Sequence, residues 1–184
     1  MTIVISMLRG VNLGPHNRVK MEELRALYKS LELENPRTYV QSGNVLFKTR
    51  EPDLTKLSVR IKAAIEKRFG INTEVILRTA EEMRTLAAEN PFAGRKGIEP
   101  SKLLVSFLAN EPGIEASKRL RELDTAPEEL VINGREIFVY YPNGMARPKF
   151  QWTKADKILN IPGTGRNWNS VTKMLQIAEE MEGE

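Results

Sequence analysis

Along this chain two apolar periods alternate, and they do so in the same order twice. The run IVISML (3–8) has the length and β-branched content of a buried strand. Met21, Leu24, Leu27, Tyr28 and Leu31 then recur at three and four residues, the spacing that lines one face of a helix. RTYVQSGNVLFKT (37–49) reads as two strands about a Ser-Gly turn. Leu54, Leu57, Ile61, Ile65 and Phe69 mark a second amphipathic helix ended by Gly70, and TEVILRT (73–79) supplies a fourth strand. Strand, helix, strand, strand, helix, strand is the order of a ferredoxin-like βαββαβ unit.

The second half begins the pattern again. TAEEMRTLAAENPF reads as a connecting helix, because Thr79 with Glu82 three positions on forms a capping box and Asn90-Pro91 stops it. FAGRKGIEPS is a polar linker. KLLVSFLA is a strand, IEASKRLREL a helix with Ile114, Leu120 and Leu123 inward, and ELVINGREIFVYYP a hairpin whose Asn133-Gly134 suits a type I′ turn. A short helix around QWTKADKILN, an extended piece at GTGR and a terminal helix from about Asn169 to Met181 follow. The expected fold is α+β, with two ferredoxin-like α/β-plait subdomains: residues 1–78, a bridging helix and linker over 79–100, and 101–184 with the terminal helix. Units of this size are small for independent cores, so the two are expected to pack together around a cleft.

Composition narrows the chemistry. There is no cysteine, which removes disulfides, thiol nucleophiles and thiolate metal sites, and His16 is the only imidazole. Neither a cofactor nor a metal is therefore expected. The 28 cations are interleaved with 24 anions for a net charge of +4, a mild lean toward anionic partners. No apolar run approaches bilayer length, and the N-terminus runs into TIVISMLRG without the pattern of a secretory signal, so a cytoplasmic protein with no membrane partner is expected.

Three polar blocks carry what chemistry the sequence offers. In RGVNLG (9–14) two glycines flank Val11, Asn12 and Leu13 just after a strand, a loop able to present backbone N–H groups and lead into the helix near Lys20. Its spacing matches neither the phosphate loop nor the dinucleotide fingerprint, and the plainer reading is a turn with Arg9, Arg18 and Lys20 in water. Gln41, Ser42, Gly43 and Asn44 form the second block, which is also ordinary turn chemistry. The third, TGRNWN (164–169), sets Arg166, Asn167 and Trp168 directly before a helix; the guanidinium can hold a carboxylate or phosphate through paired N–H bonds, and the indole reads as an apolar anchor. No Asp or Glu stands within these cores, so recognition of an anion is favoured over acid–base work, and whether any reaction is catalysed stays open. His16 lacks the partners of a triad. The carboxylate pairs Glu22-Glu23, Glu81-Glu82 and Glu128-Glu129 are expected to face helix dipoles or water.

RGVNLG…VKM, YVQSGNV, ENPF and the late TGRNWNSV, in this order, resemble the bacterial family catalogued as domain of unknown function 1697, over nearly the whole chain. The resemblance implies a pair of α/β-plait lobes and a family without an established activity. Gly165, Ser170 and Pro148 depart from its pattern, where alanine, threonine and serine are expected; the proline removes a hydroxyl and an N–H from any contact there.

The leading expectation is thus a small anionic ligand, phosphate- or carboxylate-bearing and possibly a nucleotide, held by Arg9, Asn12, Lys20, Gln41, Ser42, Asn44, Arg166 and Asn167. A single-stranded nucleic-acid module is the second reading, since IFVYY (137–141) echoes the tail of an RNA-binding strand motif, although those aromatics also suit a core. A protein-interaction scaffold is the third.

Overall fold

The structure, a computed structural model, describes residues 1–184 and contains two four-stranded antiparallel sheets and six α-helices. The first series is β1 (Thr2–Leu8), α1 (Met21–Ser30), β2 (Glu34–Tyr39), β3 (Asn44–Thr49), α2 (Leu54–Phe69) and β4 (Val75–Thr79), followed by α3 (Ala80–Ala88). The second is β5 (Leu103–Leu108), α4 (Ile114–Arg121), β6 (Glu129–Asn133), β7 (Glu136–Tyr140), α5 (Trp152–Leu159) and β8 (Gly163–Asn167), followed by α6 (Trp168–Glu182). The strand orders, β2-β3-β1-β4 and β6-β7-β5-β8, are the same arrangement twice.

Close packing divides the chain into Met1–Ala88 with Thr172–Glu184, and Glu89–Val171. The helix expected to bridge two lobes therefore groups with the first unit. Ala80, Met83 and Leu86 give α3 a buried stripe, and it packs beside β1 and β4. Its capping box forms as the sequence predicts: Glu82 N–H donates to Thr79 Oγ1 at 3.1 Å, and Thr79 N–H donates to Glu82 Oε2 at 2.7 Å.

In the first unit α1 and α2 bury Leu24, Tyr28, Leu57, Ile61 and Ile65 with Val4, Leu8, Val45, Phe47 and Leu77 of the sheet. The Tyr28 hydroxyl shares a 2.7 Å hydrogen bond with Ser6 Oγ, which satisfies both polar groups inside the core. Asp53 Oδ1 caps α2 by accepting from Lys56 N–H, and Gly70 closes it at φ +68°. The residues of alternate parity, Ile3, Ile5, Met7, Leu46 and Ile76, are also buried, so both faces of this sheet are apolar and withdrawn from water.

In the second unit Leu108, Leu120, Ile137, Val139, Tyr141, Phe150, Ala155 and Leu159 form the core. Three expectations change here. Ile114 is 92% exposed, not inward, because helical spacing assigns a face while burial needs a neighbour, and this cluster offers it none. The hairpin turns on Gly134-Arg135, with Asn133 still paired to Glu136; only Gly134 has positive φ, as in type II′ and not type I′. Glu128, read as facing water or a dipole, is buried and accepts backbone N–H bonds from Lys149 and Phe150 at 3.1 and 3.0 Å, tying the long β7–α5 connection to the start of β6.

Candidate functional site

Three connections meet at one end of the first sheet: residues 9–20 between β1 and α1, the hairpin tip 40–43, and residues 70–74 before β4. The backbone of Arg9 is gripped on both sides, its N–H donating to the Glu74 carbonyl at 3.0 Å and its carbonyl accepting from Thr73 Oγ1 at 2.7 Å. Leu8 N–H donates to the Gly43 carbonyl. Gly43 lies at φ +75°, and a Cβ there would stand 2.9 Å from Leu8 Cβ, so only glycine fits.

Asn12 joins two of these connections. Its side-chain nitrogen donates to the carbonyls of Val19 (3.0 Å) and Gln41 (2.7 Å), and its Oδ1 accepts from Val19 N–H at 2.8 Å. The Asn12 N–H donates to the Asn17 carbonyl at 3.0 Å, and Asn17 Nδ2 donates to the Gly10 carbonyl at 3.3 Å, so the loop closes on itself. Gly10, Asn12, Gly14 and Asn17 all lie at positive φ, the conformation that glycine and asparagine tolerate best. Val40 also does, at φ +50°, which for a β-branched residue is strained.

Arg9, Arg18, Lys20, His16 and Gln41 are exposed on this end, and no carboxylate pairs with Arg18 or Lys20. Lys20 occupies the N-cap of α1 without a side-chain cap, while Glu22 and Glu23 stand in the first turn. The end is therefore cationic but already faced by two acids of its own. Ser42 is half-buried. Asn44, expected to meet a ligand, is fully buried and donates to the Tyr39 carbonyl and Ser42 Oγ, so it closes the hairpin.

Arg166 and Asn167 belong to the second unit. Arg166 is 9% exposed on β8, donates to Thr164 Oγ1 and the Gly165 carbonyl at 2.8 Å each, and burial pushes its pKa down to about 10, so it remains a cation at neutral pH. Asn167 Oδ1 accepts from Ser170 N–H at 2.9 Å and so caps α6. The residue that sequence reading passed over is Arg78. It is buried on β4 and donates to the preceding carbonyl of Leu77, as Arg166 does to Gly165. Register makes the two equivalent: Arg78 pairs with Ile5 and Arg166 with Val105. Aligning the two halves by their capping residues, ILRT with GTGRN, would have revealed it.

The aromatic strand has no surface to offer. Phe138 and Tyr140 are buried, with Phe138 against Trp168 and Tyr140 against Phe92, and the Tyr140 hydroxyl donates to the Gly97 carbonyl. Two concave spaces of about 580 and 570 Å3 lie in the first unit, one beside Lys48, Thr79 and Glu81, the other beside Arg50, Glu51 and Arg60. None of the eight candidate ligand residues lines either.

Fold and site together define a twice-repeated α/β protein whose first repeat bears an elaborated, cation-rich loop end. The chain belongs to the family described as "Protein of unknown function (DUF1697)", whose model matches residues 1–138. That match takes in RGVNLG, QSGN and ENPF and stops short of TGRNWN. The structure resembles that of a conserved bacterial protein from Streptococcus pneumoniae at a TM-score of 0.71, with 21% identity, over 96% of this chain and 98% of the other. No curated protein matches the sequence. No helix is long and apolar enough to cross a membrane.

Proposed function

We propose that the loop end of the first unit binds a small phosphate- or carboxylate-bearing molecule. One comparison carries the reading. The second unit makes the same two connections with residues 109–113 and 134–135, whereas the first uses 9–20 and 40–43, and Asn12 clasps the added residues together. Ordering chain beyond what the sheet needs costs conformational entropy, and ordered, charged loops on a rigid frame are where binding residues concentrate. Arg9 and Lys20 supply charge, Gln41 and Ser42 supply hydrogen bonds, and Asn12 and Asn44 hold the frame. Arg166 and Asn167 act within β8 and α6, and no ligand contact is proposed for them. Each unit is read as a ferredoxin-like plait and the protein as cytoplasmic. The reading is of binding; no bond-making step is assigned.

The test is thermal unfolding of the full chain with inorganic phosphate, pyrophosphate and citrate. A ligand at a hundred times its Kd stabilises by about 2.7 kcal/mol. The expected result is a rise in Tm that Lys20→Ala and Arg9→Ala each reduce; a panel without any shift sinks the reading.

A further inference from the structure

The end of the first sheet opposite the long loops holds the concave space of about 570 Å3, formed where β3 runs out beside the link from α1 to β2. Glu32, Glu34, Arg50 and Arg60 line it, all four exposed and of both signs. Elsewhere on this unit opposite charges within reach close on one another: Lys62 meets Glu74 at 2.6 Å, and Glu51, at the rim of this space, has Lys56 at 3.5 Å. Around the space itself they do not. The side chains of Glu32, Glu34 and Arg50 make no hydrogen bond or ion pair, and Arg60 uses only Nη2, which donates to the Leu31 carbonyl at 2.7 Å.

Glu32 stands there against two local preferences. Its N–H donates to the Lys29 carbonyl and the Leu33 N–H to the Tyr28 carbonyl, which closes α1 in the motif whose left-handed position glycine normally fills. Glu32 holds that position at φ +58°, and its carboxylate adds negative charge at the negative end of the helix dipole. Folding alone favours glycine or a cation at this place, and a residue that breaks local rules without a compensating contact marks function. Charge then decides what suits the space. With Glu51 matched by Lys56, two anions and two cations remain. A phosphate would face Glu32 and Glu34, and a polyamine would face Arg50 and Arg60; a molecule carrying both an ammonium and a carboxylate is repelled by neither side. Met1 and Pro52 add an apolar wall, and the volume is that of a small-molecule site.

We propose that this space binds a free α-amino acid, its carboxylate on the guanidinium groups of Arg50 and Arg60 and its ammonium between the carboxylates of Glu32 and Glu34. The site is separate from the loop end, and neither reading depends on the other.

Calorimetric titration of the full chain with each common α-amino acid, and with the N-acetyl and methyl ester derivatives of the tightest, tests both contacts. At least one free amino acid is expected to bind, and blocking either of its ends should weaken binding about tenfold or more, the loss of a charge-assisted contact. Glu32→Gln should weaken the free amino acid by a similar factor and leave the N-acetyl derivative unchanged; Arg50→Gln should do the same with respect to the ester. Glu32→Gly separates function from folding, since it should raise Tm while weakening binding. No binding by any amino acid overturns the proposal, as does an ester or N-acetyl derivative that binds as tightly as the free acid, or a Glu32→Gly variant that binds as well as the parent. Loss of amino-acid binding in Lys20→Ala overturns it too, because it assigns the ligand to the loop end. Phosphate binding at that end should survive Glu32→Gln and Arg50→Gln, so the failure of either reading leaves the other standing.

Discussion

The side-chain amide of Asn12 donates to the backbone carbonyl of Gln41 at 2.7 Å, joining segments 29 residues apart in sequence. The same side chain accepts from Val19 and donates to it, so one asparagine ties both ends of its own loop to the neighbouring hairpin. Removing it should leave the Val19 N–H and two carbonyls without their partners while the sheet beneath stays intact.

Asn12→Ala is accordingly expected to lower stability by about 1–3 kcal/mol. Asn12→Gly, which relaxes the positive φ but lacks the amide, should lose nearly as much. Denaturant titration measures both, and amide exchange should quicken over residues 9–20 before it does in β1. A glycine variant as stable as the parent would show that the backbone conformation matters and the clasp does not.

Val40 offers a change in the opposite direction. Asparagine accepts a left-handed backbone more readily than valine, and little apolar burial is lost at a half-exposed position. Val40→Asn should raise stability by roughly 1 kcal/mol. Calorimetric Tm is the readout; a lower Tm would mean that the valine side chain contributes packing beyond what its exposure allows.

Glu128 fastens the β7–α5 connection through two backbone N–H groups. Glu128→Ala leaves both donors unpaired near the core and should cost at least about 1–3 kcal/mol, with protease sensitivity rising between residues 142 and 150. Glu128→Gln retains one acceptor oxygen and should recover part of the loss.

Phe138→Ala should destabilise by about 3–5 kcal/mol, the cost of a large core cavity. Base stacking predicts instead a well-folded variant that has lost RNA affinity. Circular dichroism melting on the variant, beside an RNA titration, distinguishes the two.

Two tyrosines set the alkaline limit. Burial pushes the Tyr141 hydroxyl up to about 12, and burial holds that of Tyr28 higher still, against an ordinary value of 10.0. In the unfolded chain both would ionise near 10.0, while in the folded chain they stay neutral, so the stability they support is complete below that pH and is lost as pH climbs toward 12 and beyond. Unfolding midpoints measured from pH 8 to 11.5 should fall over the upper part of that range, and Tyr28→Phe and Tyr141→Phe should each flatten the fall.

The sequence by itself determined the elements. Periods of two and of three to four residues are local properties of strands and helices, and so are the Thr79–Glu82 capping box and the Gly70 stop; each is decided by neighbours a few positions away. The repeated order of these elements followed at once, and with it the two four-stranded sheets. Tertiary structure decided which polar residues face water. Asn44 and Gln41 sit three positions apart in one turn, yet one is fully buried and the other exposed. Arg166 and Glu128 look like surface charges in the sequence and are buried, while Ile114 has core spacing and lies in water. Those outcomes depend on partners tens of residues distant, such as Lys149 for Glu128 and Gln41 for Asn12, and no local period records which remote segment a side chain will meet.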